Sequence, residues 1–179
     1  VHAVQWFAQH VFPRIRAAVP AARFVIVGAR PASEVLDLAS ESGVEVTGTV
    51  PDVRPYLAHA HAFVAPLRIA RGVQNKILEA MAMAKAIIAS PGALEGIEFS
   101  SSAELQVANN EAQFAEQAIQ FLRLDKPAVA RDSRQWVSQR YDWNTNLARA
   151  GELLEHPSPS ECLPGMTGRQ TADPKKKLA

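Results

Sequence analysis

Residues 62–89 read AFVAPLRIARGVQNKILEAMAMAKAIIA and predict a strand, a helix and a second strand. The first and last four residues of this stretch are short apolar runs, which are typical of buried parallel strands. Between them, Ile77, Leu78 and Met81 recur at helical spacing and predict a helix over 73–85 with one buried face. Parallel strands joined by a crossover helix form a βαβ unit, so this stretch predicts an α/β fold.

The same alternation extends on both sides of this unit. Apolar runs at 23–28, 44–48 and 104–107 predict three more strands. Helical patterns cover 3–18, 33–40, a short segment from Asp52 to Leu57, 110–123, 127–140 and 143–154. Pro13 lies inside the first of these patterns and predicts a bend or an early end there. Five strands interleaved with helices predict an open, mostly parallel, Rossmann-like sheet with helices on both faces.

Composition restricts the class of protein. The chain has 179 residues, of which 47% are hydrophobic and 21% charged, which fits one domain and excludes a chain that is disordered throughout. The single cysteine, Cys162, excludes a disulfide scaffold. We find neither a long apolar run nor a secretory segment and therefore expect a soluble, cytoplasmic protein. Residue 1 is valine, which leaves open that the chain is a fragment of a longer protein.

The end of the chain differs from the rest. Residues 156–179 are rich in proline, serine, glycine and lysine and lack apolar periodicity, which predicts a disordered tail after a domain spanning 1–155. The formal net charge is +1, and the basic excess lies in this tail. Because the body of the chain has no basic excess, we expect no nucleic-acid partner.

The residues after the third predicted strand have the clearest potential for chemistry. Ligands of open parallel sheets bind at the carboxyl ends of the strands. Gly72 lies there at the start of a helix, whose free backbone N–H groups, together with Arg68, Arg71 and Lys76, would form an anion site. Glu79 follows nearly two turns into the helix, where one carboxylate can accept hydrogen bonds from both hydroxyls of a ribose. This order of groups predicts a nucleotide site.

An ordinary surface loop is the alternative on composition alone. Glu79 would then be a solvated residue with Lys76 as its helix-surface partner. The sequence has neither a Walker-type phosphate loop nor a three-glycine dinucleotide motif. His59 and His61 are spaced for one face of a strand, but no cysteine or carboxylate is spaced to complete a metal site, so we expect no metal.

Four stretches of the chain match a known pattern when they are taken together. The main one is FVAPLR at 63–68 followed by GVQNKILEAMA at 72–82. The others are RFVIVG at 23–28, VEVTGTVPD at 44–52 and RYDW at 140–143. In this order they resemble the nucleotide-sugar-binding half of the retaining GT-B glycosyltransferases of the group 1 family.

The resemblance implies a carboxyl-terminal GT-B domain, with the sugar transferases of bacterial exopolysaccharide clusters as the most similar members. The expected reaction moves a hexose from a nucleoside-diphosphate sugar to a glycan or lipid-linked acceptor, with no metal and no cofactor other than that donor substrate. The expected partners are the nucleotide sugar, the acceptor and an amino-terminal GT-B domain. Peripheral membrane association of the full enzyme is a further expectation.

The resemblance also assigns roles to individual residues. It implies that Glu79 holds the ribose and that Lys76 and Arg68 balance the charge of the diphosphate as it leaves. Gly28 would let the donor approach closely. The turn that meets the base corresponds to Thr49 and Val50. The loop and helix mouth beside the diphosphate and the transferred sugar correspond to Gly72, Val73, Gln74, Asn75 and Lys76. No catalytic residue is assigned.

The chain departs from the family pattern in three places. Arg71 stands where the family has the first of two glutamates. The residue that binds the transferred sugar is therefore left open, or backbone N–H groups near Gly72 take over this role. The sequence at 84–86 is AKA where relatives have Gly-Lys-Pro, and an alanine in a left-handed helix end costs about 1 kcal/mol. The family's first strand, which lies in the middle of the sheet, and the amino-terminal domain are expected upstream of residue 1.

These departures keep a second interpretation open. The alternative function is a degenerate, non-catalytic nucleotide-binding module of the same fold. A nucleotide-sugar epimerase of the same two-domain fold is a third option, for which no acid/base pair is visible. Without the middle strand, we expect unpaired strand edges, with association or weakly cooperative unfolding of the isolated chain.

Overall fold

A computed structural model describes residues 1–68, 72–97, 104–142 and 147–148. The chain divides into two units, Val1–Arg140 and Tyr141–Ala179, and all the elements below lie in the first. The predicted tail and most of the predicted helix at 143–154 lie outside the described residues. The strands are β1 Phe24–Val27, β2 Val44–Gly48, β3 Phe63–Ala65, β4 Ile87–Ala89 and β5 Leu105–Val107. The helices are α1 His2–Trp6, α2 Phe12–Ala18, α3 Ser33–Leu36, α4 Arg54–His59, α5 Asn75–Ala82, α6 Glu111–Leu122 and α7 Arg131–Arg140.

All five predicted strands are present, and every pairing between them is parallel. β1 pairs with β2, starting from Phe24 opposite Val44. β4 lies between β3 and β5, with Ile87 opposite both Phe63 and Leu105. Alternating strands and helices with parallel pairing confirm the predicted Rossmann-like α/β class.

The strands pair in two groups, β1-β2 and β3-β4-β5, rather than in one continuous sheet. Among the described residues, no pairing joins β1 to β3. In the usual doubly wound order, the first strand lies between the second and the fourth, which correspond here to β1 and β3. The division therefore falls where the resemblance expects the family's first strand.

The amino-terminal helix changes pitch near its only proline. Between α1 and α2, residues Phe7–Val11 form a π-helical turn, and Pro13 is the second residue of α2. Pro13 has no N–H to donate to the carbonyl of Gln9. A wider turn is one way for a helix to absorb that loss, so the irregularity expected at Pro13 takes the form of a π turn just before it.

One hydrophobic core joins this helix to both groups of strands. The ring of Phe7 lies 4.7 Å from that of Phe24 on β1 and 6.1 Å from that of Phe114 on α6. Ile26 of β1 and Ile88 of β4 belong to the same cluster. The two strand groups therefore share apolar packing, although no backbone pairing connects them in the described residues.

Helix α5 is shorter than its apolar pattern predicts. It begins at Asn75 because Gln74 is extended and Gly72 has a φ of +70°. Its carboxyl end is a Schellman motif, in which the N–H of Lys85 donates to Ala80 and that of Ala84 donates to Met81. Ala84 occupies the left-handed position of that motif with a φ of +53°, the conformation that favours glycine.

Candidate functional site

The amino end of α5 leaves backbone donors free. The N–H groups of Ile77 and Leu78 both donate to the carbonyl of Gln74. No side chain caps this end of the helix. The N–H groups of Asn75 and Lys76 have no partner among the described residues. A helix end of this kind offers two donors and a partial positive charge to an anion.

The side chain of Gln74 turns back along the chain instead of capping the helix. Its Nε2 atom donates to the carbonyl of Gly72 at 3.1 Å. That contact fixes the loop where it enters the helix. Gly72 and Val73 are exposed, and a Cβ atom added at Gly72 would meet nothing within 4 Å. The hydrogen bond therefore fixes the loop at its helix end, while the side of the loop that carries Gly72 and Val73 stays accessible to a ligand.

One face of α5 carries the polar residues that the sequence predicts for ligand binding. Asn75, Lys76 and Glu79 are exposed, whereas the opposite face is buried through Ile77, Ala80 and Met81. Neither Lys76 nor Glu79 forms a side-chain hydrogen bond or an ion pair within the described part of the chain. The surface pair between them that would make Glu79 an ordinary solvated residue is therefore not formed.

The loop after β4 contacts both described ends of the loop after β3. A Cβ atom added at Gly92 would lie 3.0 Å from the carbonyl oxygen of Arg68. A Cβ added at Gly96 would lie 3.4 Å from Val73. The 3-10 turn Pro91–Leu94, which Ser90 caps through its side chain, supports these contacts. The intervening residues 69–71, including the predicted Arg71, lie outside the described residues.

Arg68 lies apart from the α5 face. Its guanidinium group stacks over the ring of Trp6, 5.5 Å from the ring centroid. Both residues line a cleft of about 700 Å³ at the carboxyl ends of β3, β4 and β5. Gly72, Lys76 and Glu79 are not among the residues that line it. The structure therefore does not bring Arg68 and Lys76 together in one pocket, as the prediction of a shared diphosphate role would require.

The remaining predicted residues follow β1 and β2. Gly28 comes directly after β1 and is exposed, and an added Cβ there would meet nothing within 4 Å. Thr49 and Val50 follow β2, whose last residue, Gly48, turns the chain with a φ of +69°. These positions lie at the carboxyl ends of the β1-β2 group, whereas α5 follows the other group of strands.

The turn after Val50 is held by an exposed ion pair. Asp52 accepts hydrogen bonds from the backbone N–H and the Nε atom of Arg54, both at 2.9 Å. The hydrogen bonds from Arg54 lower the pKa of Asp52 below its ordinary value. Asp52 therefore holds the start of α4 from the position before the N-cap, which is Val53, and not as the N-cap itself.

Several residues that line the cleft are absent from the predicted site. The sequence predicts no site role for Trp6, Phe114, Asn109 or Asn110, all of which line the cleft. The sequence does contain a signal for the two asparagines, because they follow β5 closely and so lie at the carboxyl end of a strand, where ligands bind. Trp6 carries no such signal, because only the packing of α1 against Arg68 places it in the cleft.

The described residues contain no group of three or more histidine, cysteine, aspartate or glutamate side chains that could hold a metal ion. Within those residues no helix is both long enough and apolar enough to span a membrane. Cys162 lies outside the described residues.

Comparison with protein-family models gives a match over most of the described chain. The model of a family described as "Glycosyl transferases group 1" matches residues 1–124, which is more than half of the chain. The matched region includes β1 to β5, α5 and all the residues that line the cleft. No curated protein matches the chain.

Proposed function

The chain belongs to the glycosyl transferases group 1 family, and from this premise we propose that it is the donor-binding domain of a retaining glycosyltransferase. The family supports a role in glycosyl transfer in general. Our proposal is more specific: the enzyme moves a hexose from a nucleoside-diphosphate sugar to a glycan or lipid-linked acceptor, in exopolysaccharide synthesis. It would work together with an amino-terminal GT-B domain, in the cytoplasm and with peripheral membrane association.

The observation that carries this proposal is the free amino end of α5. Two backbone N–H groups there have no partner among the described residues, and the Lys76 ammonium group lies on the same turn. A diphosphate accepts hydrogen bonds and carries negative charge, so it complements both features. Protein donors of this kind stabilise a leaving diphosphate without a metal.

Glu79 extends the same face by one turn. Its carboxylate is exposed and has no side-chain partner in the described residues, so a ligand would displace only water. A carboxylate beyond a phosphate site suits the ribose of a nucleotide, whose two hydroxyl groups are adjacent donors. Thr49 and Val50 are the proposed contacts to the base. Gly28 is the proposed position at which the donor passes close to the backbone.

Nucleotide titration tests this arrangement. We expect UDP or GDP to bind saturably and Glu79→Ala to weaken binding by about 1–3 kcal/mol, the range for a lost hydrogen bond to a charged group. Glu116→Ala is the matched control, because Glu116 is an exposed glutamate on α6. Lys76→Gln should weaken binding of the nucleoside diphosphate but leave binding of the nucleoside unchanged. Equal affinity of Glu79→Ala and wild type would remove Glu79 from the site.

The second candidate is a binding module without turnover. It is favoured by Arg71, which stands at the position where the resemblance expects a glutamate that grips the transferred sugar. The test is release of free nucleotide from UDP- and GDP-sugars by a version extended upstream in the same reading frame. Binding without release, and release restored by Arg71→Glu, would favour the degenerate module over the enzyme.

A further inference from the structure

The cleft at the carboxyl ends of β3, β4 and β5 has the features of a ligand site of its own. Its volume is about 700 Å³, within the range of pockets that hold small organic molecules. Apolar walls from Trp6 and Pro91 face polar groups from Arg68, Asn109 and Asn110. The residues of α5 that we propose for the nucleotide do not line it.

Arg68 is held in place in this cleft without losing its hydrogen-bonding capacity. Its guanidinium group lies over the ring of Trp6, with the central carbon 5.5 Å from the ring centroid. Trp6 is held in turn by an edge-to-face contact with Phe114, with centroids 5.7 Å apart. Among the described residues, Arg68 forms neither a hydrogen bond nor an ion pair. Its in-plane N–H donors therefore stay available for bidentate binding of an anion.

A second set of donors lines the same cleft at the start of α6. Asn110 caps this helix by accepting from the N–H of Gln113 at 3.0 Å. The N–H groups of Glu111 and Ala112 remain without a partner in the described residues. The carboxylate of Glu111 is engaged by Arg14 at 3.2 Å, which offsets its negative charge.

The asparagines supply groups that suit hydroxyls. The Nδ2 atom of Asn109 donates to Oε1 of Gln113 at 3.3 Å, while its Oδ1 atom has no partner in the described residues. For Asn110 the reverse holds, since Oδ1 is occupied by the helix cap and Nδ2 is not. One free acceptor and one free donor in a cleft that an indole also lines match a sugar ring, which is polar at its rim and apolar on its faces.

From these groups we propose that the cleft binds a phosphorylated saccharide, with Arg68 and the start of α6 holding the phosphate. Phosphate alone would occupy only a small part of the volume, and the asparagines would contact the hydroxyl groups of the attached ring. This site goes beyond the proposed nucleotide site on α5, and its occupancy does not depend on that site. In a glycosyltransferase, a saccharide bound at a site separate from the donor has the chemistry of an acceptor.

Trp6 provides a direct readout of this binding. We expect titration with a hexose 1-phosphate to shift the indole N–H resonance of Trp6 saturably in a two-dimensional NMR spectrum of the chain. Arg68→Gln should weaken this binding roughly 10-fold to 100-fold, as expected for lost hydrogen bonds to a charged group. Arg134→Gln is the matched control and should leave this binding unchanged, because Arg134 is an exposed arginine on α7 that does not line the cleft. Trp6→Phe identifies the resonance, and thermal melting checks that each variant is folded.

Three results would overturn the proposal. The first is a Trp6 resonance that hexose 1-phosphate does not shift while the chain is folded. The second is inorganic phosphate binding as tightly as the sugar phosphate, which would reduce the site to a simple anion site. The third is competition by UDP, which would make the cleft part of the nucleotide site. Failure of UDP to bind anywhere would contradict the proposed function and leave this site standing.

Discussion

The Nζ atom of Lys85 lies 2.8 Å from the carbonyl oxygen of Ala58 and joins the end of α5 to the end of α4. It also donates to the carbonyl of Ala60 at 3.2 Å. These carbonyls belong to the last turn of α4, where the helix itself provides no donors. Lys85 is only 7% exposed, so its ammonium group replaces water as the partner of a helix end.

Removal of this contact should destabilise the domain. We expect Lys85→Met, which keeps an apolar stem of similar length, to lower the free energy of unfolding by about 1–3 kcal/mol, because two carbonyls lose a charged donor. Lys126→Met is the matched control at an exposed lysine and should change it by less than about 0.5 kcal/mol. Urea unfolding measures both. If both substitutions changed the free energy of unfolding equally, the buried contact of Lys85 would contribute nothing to stability.

The same residue should make stability depend on pH. Burial lowers the pKa of Lys85 below its ordinary value of 10.5. The unfolded chain therefore binds more protons than the folded chain at pH values just below 10.5, and stability rises with pH in that window. At pH values below the pKa of Lys85 in the folded chain, the lysine is charged in both states, and the full free-energy cost of burying its charge remains. We expect the stability of the wild type relative to Lys85→Met to increase as the pH rises toward 10.5, and an unchanged difference would contradict the lowered pKa.

Ala84 and Ala82 should respond in opposite directions to the same substitution. Ala84 has a φ of +53°, where an L-residue costs roughly 1–2 kcal/mol, whereas Ala82 is the last helical residue of α5. Ala82→Gly should lower the free energy of unfolding by about 1 kcal/mol. Ala84→Gly should be neutral or raise it by up to about 1 kcal/mol, because relief of strain offsets the loss of a buried methyl group. A loss at Ala84 as large as at Ala82 would contradict the left-handed conformation.

The family resemblance predicts this helix end well. AKA at 84–86, where glycine was expected at residue 84, predicts a strained left-handed alanine, and the structure has one. All five strands are likewise predicted within two residues, because short apolar runs between turns have few other interpretations. Helix α5 is predicted too long because Val73, four residues before Ile77, fits the apolar period, although Gly72 and the extended Gln74 delay the start of the helix.

The cleft could not be predicted to the same degree. It depends on a tryptophan in α1 meeting an arginine sixty-two positions later, and no local pattern encodes such a contact. The division between β1 and β3 is also non-local. Each strand carries its own apolar signal, whereas pairing depends on which strand becomes its neighbour. The distribution of the predicted site residues between α5 and the cleft follows from these long-range relationships.

Gly92 should control the position of Arg68. A methyl group at residue 92 would come within 3.0 Å of the carbonyl oxygen of Arg68 and 3.1 Å of that of Leu67, both rigid backbone atoms. We expect Gly92→Ala to cost about 1–3 kcal/mol of stability, as overpacking does, and to shift the Trp6 indole resonance by moving Arg68. Gly28→Ala is the matched control, because nothing lies within 4 Å of its added Cβ. An unmoved Trp6 resonance in Gly92→Ala would contradict this coupling.

The edges of β1 and β3 that lack a strand partner in the described residues should be detectable by hydrogen exchange. The N–H of Phe24 donates toward β2 and that of Phe63 toward β4. Because N–H groups alternate in direction along a strand, those of Val25 and Val64 face away from these partners. We expect the amides of Val25 and Val64 to exchange with solvent at least about tenfold faster than those of Phe24 and Phe63, since stable protection requires a hydrogen bond.

Protein concentration gives this prediction its control. Unpaired parallel edges accept a further strand, so self-association through them should slow exchange at Val25 and Val64 as the concentration rises. Phe24 and Phe63 already have strand partners, so their exchange should not change with concentration. Light scattering on the same samples would relate the protection to oligomer formation. If Val25 and Val64 are protected as strongly as their neighbours in dilute, monomeric protein, the edges are already covered and the division between the two strand groups is wrong.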